Sequence, residues 1–258
     1  MSGRPIIFYA PHQDDFLLFG GRIGAHHALP EVDRRLIVVT GTDGSTTSVR
    51  RKLNGELSSA YWQGTHSPAG EGYSPLSEAD IAAVRDREEV NADMVLGASR
   101  SDIHTQWSVP HQGGYAARGA NITVEVAESL IKHFEGLYPD AGHYTMWPGD
   151  QDPNHAALGQ ALLNLHEADP VKYGDVRWLV RPSEKVAAGA LTYSVPSDLD
   201  STVDIKVRRA CRAYDAWAPH EGMFAVGYHS VQSLFQAVVA GEPNYYLKPE
   251  ASSLNAFS

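Results

Sequence analysis

Ile6-Ile7-Phe8-Tyr9-Ala10-Pro11-His12-Gln13-Asp14-Asp15-Phe16-Leu17-Leu18-Phe19 sets an apolar run, a polar turn and a second apolar run end to end. The first run reads as a buried strand and the second as the start of a helix. One imidazole and two adjacent carboxylates therefore occupy a strand-to-helix turn. Imidazole nitrogen and carboxylate oxygen are ligands for a borderline metal such as zinc, and a catalytic site uses three protein ligands. His12 and Asp15, three positions apart on one tight turn, can point at a single ion. Asp14 between them is free to act as a base. An Asp in this place also caps a helix, and for an isolated Asp pair that plainer role is the commoner one. The preceding Pro11-His12 and a third donor further along favour the metal.

That donor is His155, in Trp147-Pro148-Gly149-Asp150-Gln151-Asp152-Pro153-Asn154-His155. A strand pattern precedes this stretch and a helix pattern follows it. Asp152 before Pro153 has the form of an N-cap with proline at the first helical position. In a parallel α/β sheet such turns gather at the carboxyl edge, where ligands bind. The two motifs can therefore meet, giving two nitrogens and one oxygen from His12, Asp15 and His155.

With these residues in place, the chain resembles the LmbE/PIG-L family of zinc-dependent N-deacetylases, which act mainly on N-acetylglucosamine-type amides. The resemblance rests on Pro11-His12 with Asp14-Asp15, and on His155 with the following Ala157-Leu158-Gly159. It is extended by Thr40-Gly41-Thr42-Asp43-Gly44 and by the spaced set Arg85, Glu88, Ala92, Leu96 and Gly97. These motifs occur in family order over roughly the first two thirds of the chain. The resemblance implies a Zn2+ held by His12, Asp15 and His155, with Asp14 as general base and an acylated amino sugar or glycoconjugate as substrate. One departure stands out. Many members carry a histidine three residues before the second metal histidine, where it polarises the substrate carbonyl. Here that position is Asp152, which as a carboxylate has no hydrogen to donate. Asp152 is read as a helix cap, and His229, in a compact aromatic-rich turn, as the replacement polarising group.

Strand patterns fall at residues 5–9, 35–39, 143–147, 176–180 and 188–193. Helix patterns fall at 15–27, 78–96, 123–134, 154–165 and 203–216, with more helix near 231–239. The alternation predicts one α/β domain over 1–258. Its expected form is Rossmann-like: a mostly parallel sheet, helices on both faces and long loops at the carboxyl edge. Gly20-Gly21-Arg22-Ile23-Gly24 lies inside the first helix, beyond the place of a dinucleotide loop, so close packing is the reason for these glycines. Two long segments, 42–77 and 100–119, carry aromatic and basic side chains. Arg50, Arg51, Trp62, Trp107, His111 and Tyr115 are the expected substrate rim, because aromatic faces stack on sugar rings and arginine clamps anions.

The 258 residues include 31 acidic and 21 basic side chains, for a net charge of −10. That balance disfavours nucleic acid and anionic membranes as partners. A single cysteine, Cys211, excludes an internal disulfide. The N-terminus enters a strand at once, and no run reaches the roughly 20 apolar residues of a membrane span. A cytoplasmic enzyme is expected, with homo-oligomerisation open. Three readings compete with amino-sugar deacetylation: a non-haem iron oxygenase, which shares the two-histidine, one-carboxylate set, an amidase for a thiol conjugate of glucosamine, and an inactive binding protein.

Overall fold

The computed structural model describes residues 3–42, 47–105 and 121–249. Strand β1 (Gly3–Ala10) is central because its alternate side chains are apolar on both sides. Ile6, Phe8 and Ala10 enter one core, whereas Ile7 and Tyr9 enter the other. A strand buried on both faces has to be covered on both faces. α1 (Gly21–His27), α3 (Glu78–Leu96), α6 (Ser197–Tyr214) and α7 (Val226–Val239) supply the first layer, and α4 (Val124–Leu137) and α5 (Pro153–Ala168) the second. A short helix, α2 (Thr47–Leu53), packs at one end against α3 and α7.

β1 pairs in parallel with β2 (Arg34–Thr40) on one side and with β4 (Gly142–Met146) on the other. The sheet extends outward through β3 (Ile103–His104) beside β2 and β5 (Val176–Val180) beside β4. β9 (Tyr245–Leu247) then runs antiparallel to β5 and to the edge strand β6 (Leu191–Thr192). A separate two-residue ribbon joins β7 (Trp217–Ala218) to β8 (Met223–Phe224). The order β3-β2-β1-β4-β5-β9-β6 reverses direction between β1 and β4. Such a reversal opens a crevice at the carboxyl ends of the two strands.

The mostly parallel sheet with helices on both faces is the expected architecture. Several elements differ in extent, and α2 forms within the segment 42–77 that reads as a loop. The helix expected over 15–27 begins as a π-helical turn, Phe16–Gly20, before α1. Its glycines serve packing: a Cβ on Gly20 would lie 2.9 Å from Phe8 Cε1, and one on Gly24 2.5 Å from Phe16 Cζ. The strand expected over 188–193 shrinks to two residues, because β9 takes the place beside β5.

Among the described residues, no helix is long and apolar enough to cross a membrane. The start of α1 is held from the far end of the chain: buried Asn244 Oδ1 accepts from Arg22 N at 2.8 Å and Ile23 N at 3.2 Å. Replacing Asn244 with Ala leaves two buried N–H groups unpaired. A loss of about 1–3 kcal/mol is expected in urea denaturation, and an unchanged midpoint would show that they find other partners.

Candidate active site

β1 and β4 are neighbours, so the turns that leave them face each other across the crevice. On the first turn, Asp15 Oδ2 accepts from the His12 backbone N at 2.9 Å and lies 2.9 Å from His12 Nδ1. The same oxygen lies 3.1 Å from His155 Nε2, on the first turn of α5. Burial alone would raise the Asp15 pKa. The imidazoles of His155 and His12 outweigh it and hold the carboxyl well below its ordinary range. Burial likewise opposes the charged form of His155, but Asp15 and Asp150 prevail and push it up to about 10.

Two nitrogens, from His12 and His155, thus converge on one oxygen of Asp15. Asp150 Oδ2, 3.0 Å from His155 Nδ1, fixes that ring from behind. A carboxylate on the far nitrogen is the usual support of a metal-ligating histidine, so the donors and their backing fit a divalent metal. Asp152 is part of the same arrangement. Its side chain caps α5, accepting from Asn154 N at 2.9 Å. One ligand atom from each of His12, Asp152 and His155 also falls within 4.8 Å of the others. Asp152 is therefore a helix cap, as read, and also a wall of the site, which the sequence reading did not foresee.

Asp14 and Arg85 form a buried ion pair, Nη2 to Oδ1 at 3.1 Å. The guanidinium aims the carboxylate into a cavity of about 400 Å³ lined by both. α3 holds a second partner one turn on: buried Glu88 accepts from Val226 N at 2.7 Å and Gly227 N at 3.0 Å, anchoring the start of α7. The lining mixes apolar side chains, Leu18, Phe19, Val231 and Leu234, with the polar Asn121, Asn154 and Arg181. Asn154 Nδ2 lies 3.1 Å from His12 Nε2 while its Oδ1 accepts from Ile122 N. Arg181, just beyond β5, places Nε 3.0 Å from Asp150 Oδ2.

The structure does not bring His229 to this cavity, although the next two residues line it. Its ring is buried, with Nδ1 2.7 Å from Ser59 Oγ, and it packs against Tyr61, His66 and Trp217. The carbonyl-polarising role expected of it fails on that ground. Arg50 pairs with Glu56 and Glu78, and Arg51 with Glu56. Trp62 stacks on His66, which stacks in turn on Trp217. None of the three lines the cavity: Arg50 and Arg51 lie on α2, and Trp62 packs against His66 and Trp217. Trp107, His111 and Tyr115 lie outside the described residues. The sequence reading missed Arg181, Asn154 and the role of Arg85. Arg85 was visible as a spaced motif residue, whereas the position of Arg181 directly after a strand was the only signal for it.

Residues 7–166 match the PIG-L family, described as GlcNAc-PI de-N-acetylase. No curated protein matches the chain. A triple mutant of a deacetylase of the teicoplanin biosynthetic pathway is 18% identical at TM-score 0.58, covering 97% of this chain and 100% of its own. The deacetylase of the A40926 pseudoaglycone is 17% identical at TM-score 0.54, covering 93% of each chain. The 4-carboxy-2-hydroxymuconate hydratase of Pseudomonas putida KT2440 is 15% identical at TM-score 0.54, covering 97% of this chain and 98% of its own. These likenesses establish a shared fold.

Burial is the leading cause that lowers His27 and His143 to about 4 and His229 to about 3. The unfolded chain takes up these protons near pH 6.5 and the folded chain does not. Their contribution is therefore complete above about pH 6.5 and is lost as pH falls toward 4 and then 3. His229→Gln is expected to lose less stability than the parent between pH ~7 and ~4.5 in denaturant titrations. Parallel losses would place the acid sensitivity elsewhere.

Proposed function

The chain belongs to the PIG-L family of de-N-acetylases, hydrolases of non-peptide C–N amide bonds, and from that premise we propose zinc-dependent removal of an N-acetyl, or other small N-acyl, group from an amino sugar or its conjugate. The observation that carries this reading is the sharing of Asp15 Oδ2 by two imidazoles beside a buried, arginine-held Asp14. His12, Asp15 and His155 would hold the ion, with Asp152 at its edge. When bound, zinc supplies Lewis acidity and lowers the pKa of water to about 7.

The protein's own groups handle the protons and the shape of the site. Asp14 accepts a proton from the water that adds to the amide carbon. It returns that proton to the nitrogen as the C–N bond breaks, releasing a carboxylic acid and an amine. Arg85 holds Asp14 in place through both transfers. Asp152 has no proton to donate, so donation to the carbonyl oxygen falls to Arg181, which reaches the cavity from β5. Positioned donors of this kind stabilise the developing oxyanion. The mixed lining suits an amphipathic substrate: Asn121, Asn154 and Arg181 for sugar hydroxyls, Leu18, Phe19, Val231 and Leu234 for apolar groups.

A mass-spectrometric screen of N-acylated amino sugars, with and without added zinc, tests the assignment. Acetate release that needs no oxygen separates it from an oxygenase. Addition of water to an unsaturated acid without amide cleavage would place the chain with the hydratase that shares its fold. A glucosamine–thiol conjugate belongs in the same panel. Chelation should abolish activity, and His12→Ala, Asp15→Ala and His155→Ala should each lower the bound zinc measured by atomic emission. Full stoichiometry in all three would remove the ligand assignment. Asp14→Asn should bind zinc normally and lose about 10²–10⁴ in kcat; near-normal turnover of the loaded variant would exclude Asp14 as the base.

A further inference from the structure

A second cavity, of about 220 Å³, lies near the amino ends of the strands on the α1 face and shares no lining residue with the catalytic one. Its walls are rings. His27 and Tyr193 have centroids 6.2 Å apart, His27 and Tyr144 6.4 Å, and Tyr193 and Tyr246 6.1 Å. Tyr193 is fixed in turn by its hydroxyl, 2.6 Å from His26 Nδ1. The volume is below the roughly 300–1,000 Å³ of sites for drug-sized ligands, so the occupant has to be small.

Aromatic rings around a cavity ordinarily suit a cation. Here the charges oppose that. Arg34 and Arg177 both line the cavity, and the acid lining it is Asp175. Asp175 is already shared: Arg34 Nη2 lies 3.3 Å, Arg177 Nη1 3.4 Å and Arg4 Nη1 3.7 Å from its oxygens. Three guanidiniums around one carboxylate leave an excess of positive charge. The Arg177 guanidinium also sits 5.8 Å from the Tyr144 ring centroid. His27 adds no charge, because burial, then Arg34, holds it at about 4, and its Nδ1 has no partner.

We infer that this cavity is a binding site for a small planar carboxylate, with its ring held among His27, Tyr144, Tyr193 and Tyr246 and its anionic end met by Arg34 and Arg177. Arginine pairs with carboxylate through a planar fork that favours such ligands over point anions. Nothing in the hydrolytic reaction requires this site, so its ligand is separate from the amide substrate.

Calorimetric titration of the zinc-loaded full chain with benzoate, and with benzamide as its uncharged counterpart, tests the assignment. Benzoate is expected to bind about tenfold tighter than benzamide, the size of one charge-assisted hydrogen bond. Arg177→Met keeps the aliphatic stem and should lower benzoate affinity about tenfold with amide hydrolysis unchanged. If that variant does not fold, Arg177→Lys keeps the charge, loses the fork and should still weaken binding several-fold. Asp15→Ala should leave benzoate binding as it was, since a carboxylate seated on the metal would depend on Asp15. Binding that vanishes in Asp15→Ala but survives in Arg177→Met overturns the assignment, as does benzoate that binds no tighter than benzamide or not at all.

Discussion

Two imidazoles, from turns about 140 residues apart in the chain, meet at one carboxylate oxygen of Asp15. That meeting depends on the parallel register of β1 with β4, which sets Ile6 beside Gly142 and Phe8 beside Tyr144. A slip of one residue would turn each side chain of the strand to the opposite face and would draw the two turns apart. The two apolar cores fix the register, so the stability of the sheet and the geometry of the site rest on the same alternation of Ile6, Ile7, Phe8 and Tyr9. The site is costly in isolation. Buried carboxylates and imidazoles disfavour their charged forms, and only mutual pairing offsets that penalty.

Two groups complete the centre from outside the two turns. Arg85 reaches Asp14 from α3, and Arg181 reaches Asp150 from the end of β5. Each of the two pairs joins an acid from the β1 or β4 turn to a cation from elsewhere in the chain. The hydratase of similar fold is a reminder that this architecture hosts more than one reaction.

Much of this was legible in the sequence where the signal is local. β5 and α3 keep the expected bounds, α3 because Ser77 and Asp80 form a capping box and Gly97 ends the helix with φ 124. The candidate ligands had local signals of two kinds: His12 and Asp15 follow the apolar run of β1, and His155 follows the Asp152-Pro153 helix start. α6 starts at Ser197, six residues before the expected 203, since its first turn is polar and offers no hydrophobic period. β9 was invisible because three residues carry no alternation, and its partner β5 lies far back in the chain. His229 was misplaced for a different reason. Composition marks a turn as aromatic, but only tertiary packing decides which way a ring faces. Its partner Ser59 lies 170 positions away.

α7 is not one rod. Val231, at φ −135 and ψ 48, breaks it between the turn clamped by Glu88 and the portion that carries Leu234. The break separates two kinds of tolerance within one element. The first turn is tied, through Glu88, to the same helix whose Arg85 holds Asp14, so variation there reaches the Asp14–Arg85 pair. The portion beyond Val231 meets the cavity only through apolar side chains and is linked to Asp14 by no hydrogen bond among the described residues. A lineage, or a laboratory library, that altered residues 231–239 would reshape what the cavity accepts while leaving the Asp14–Arg85 pair as it is.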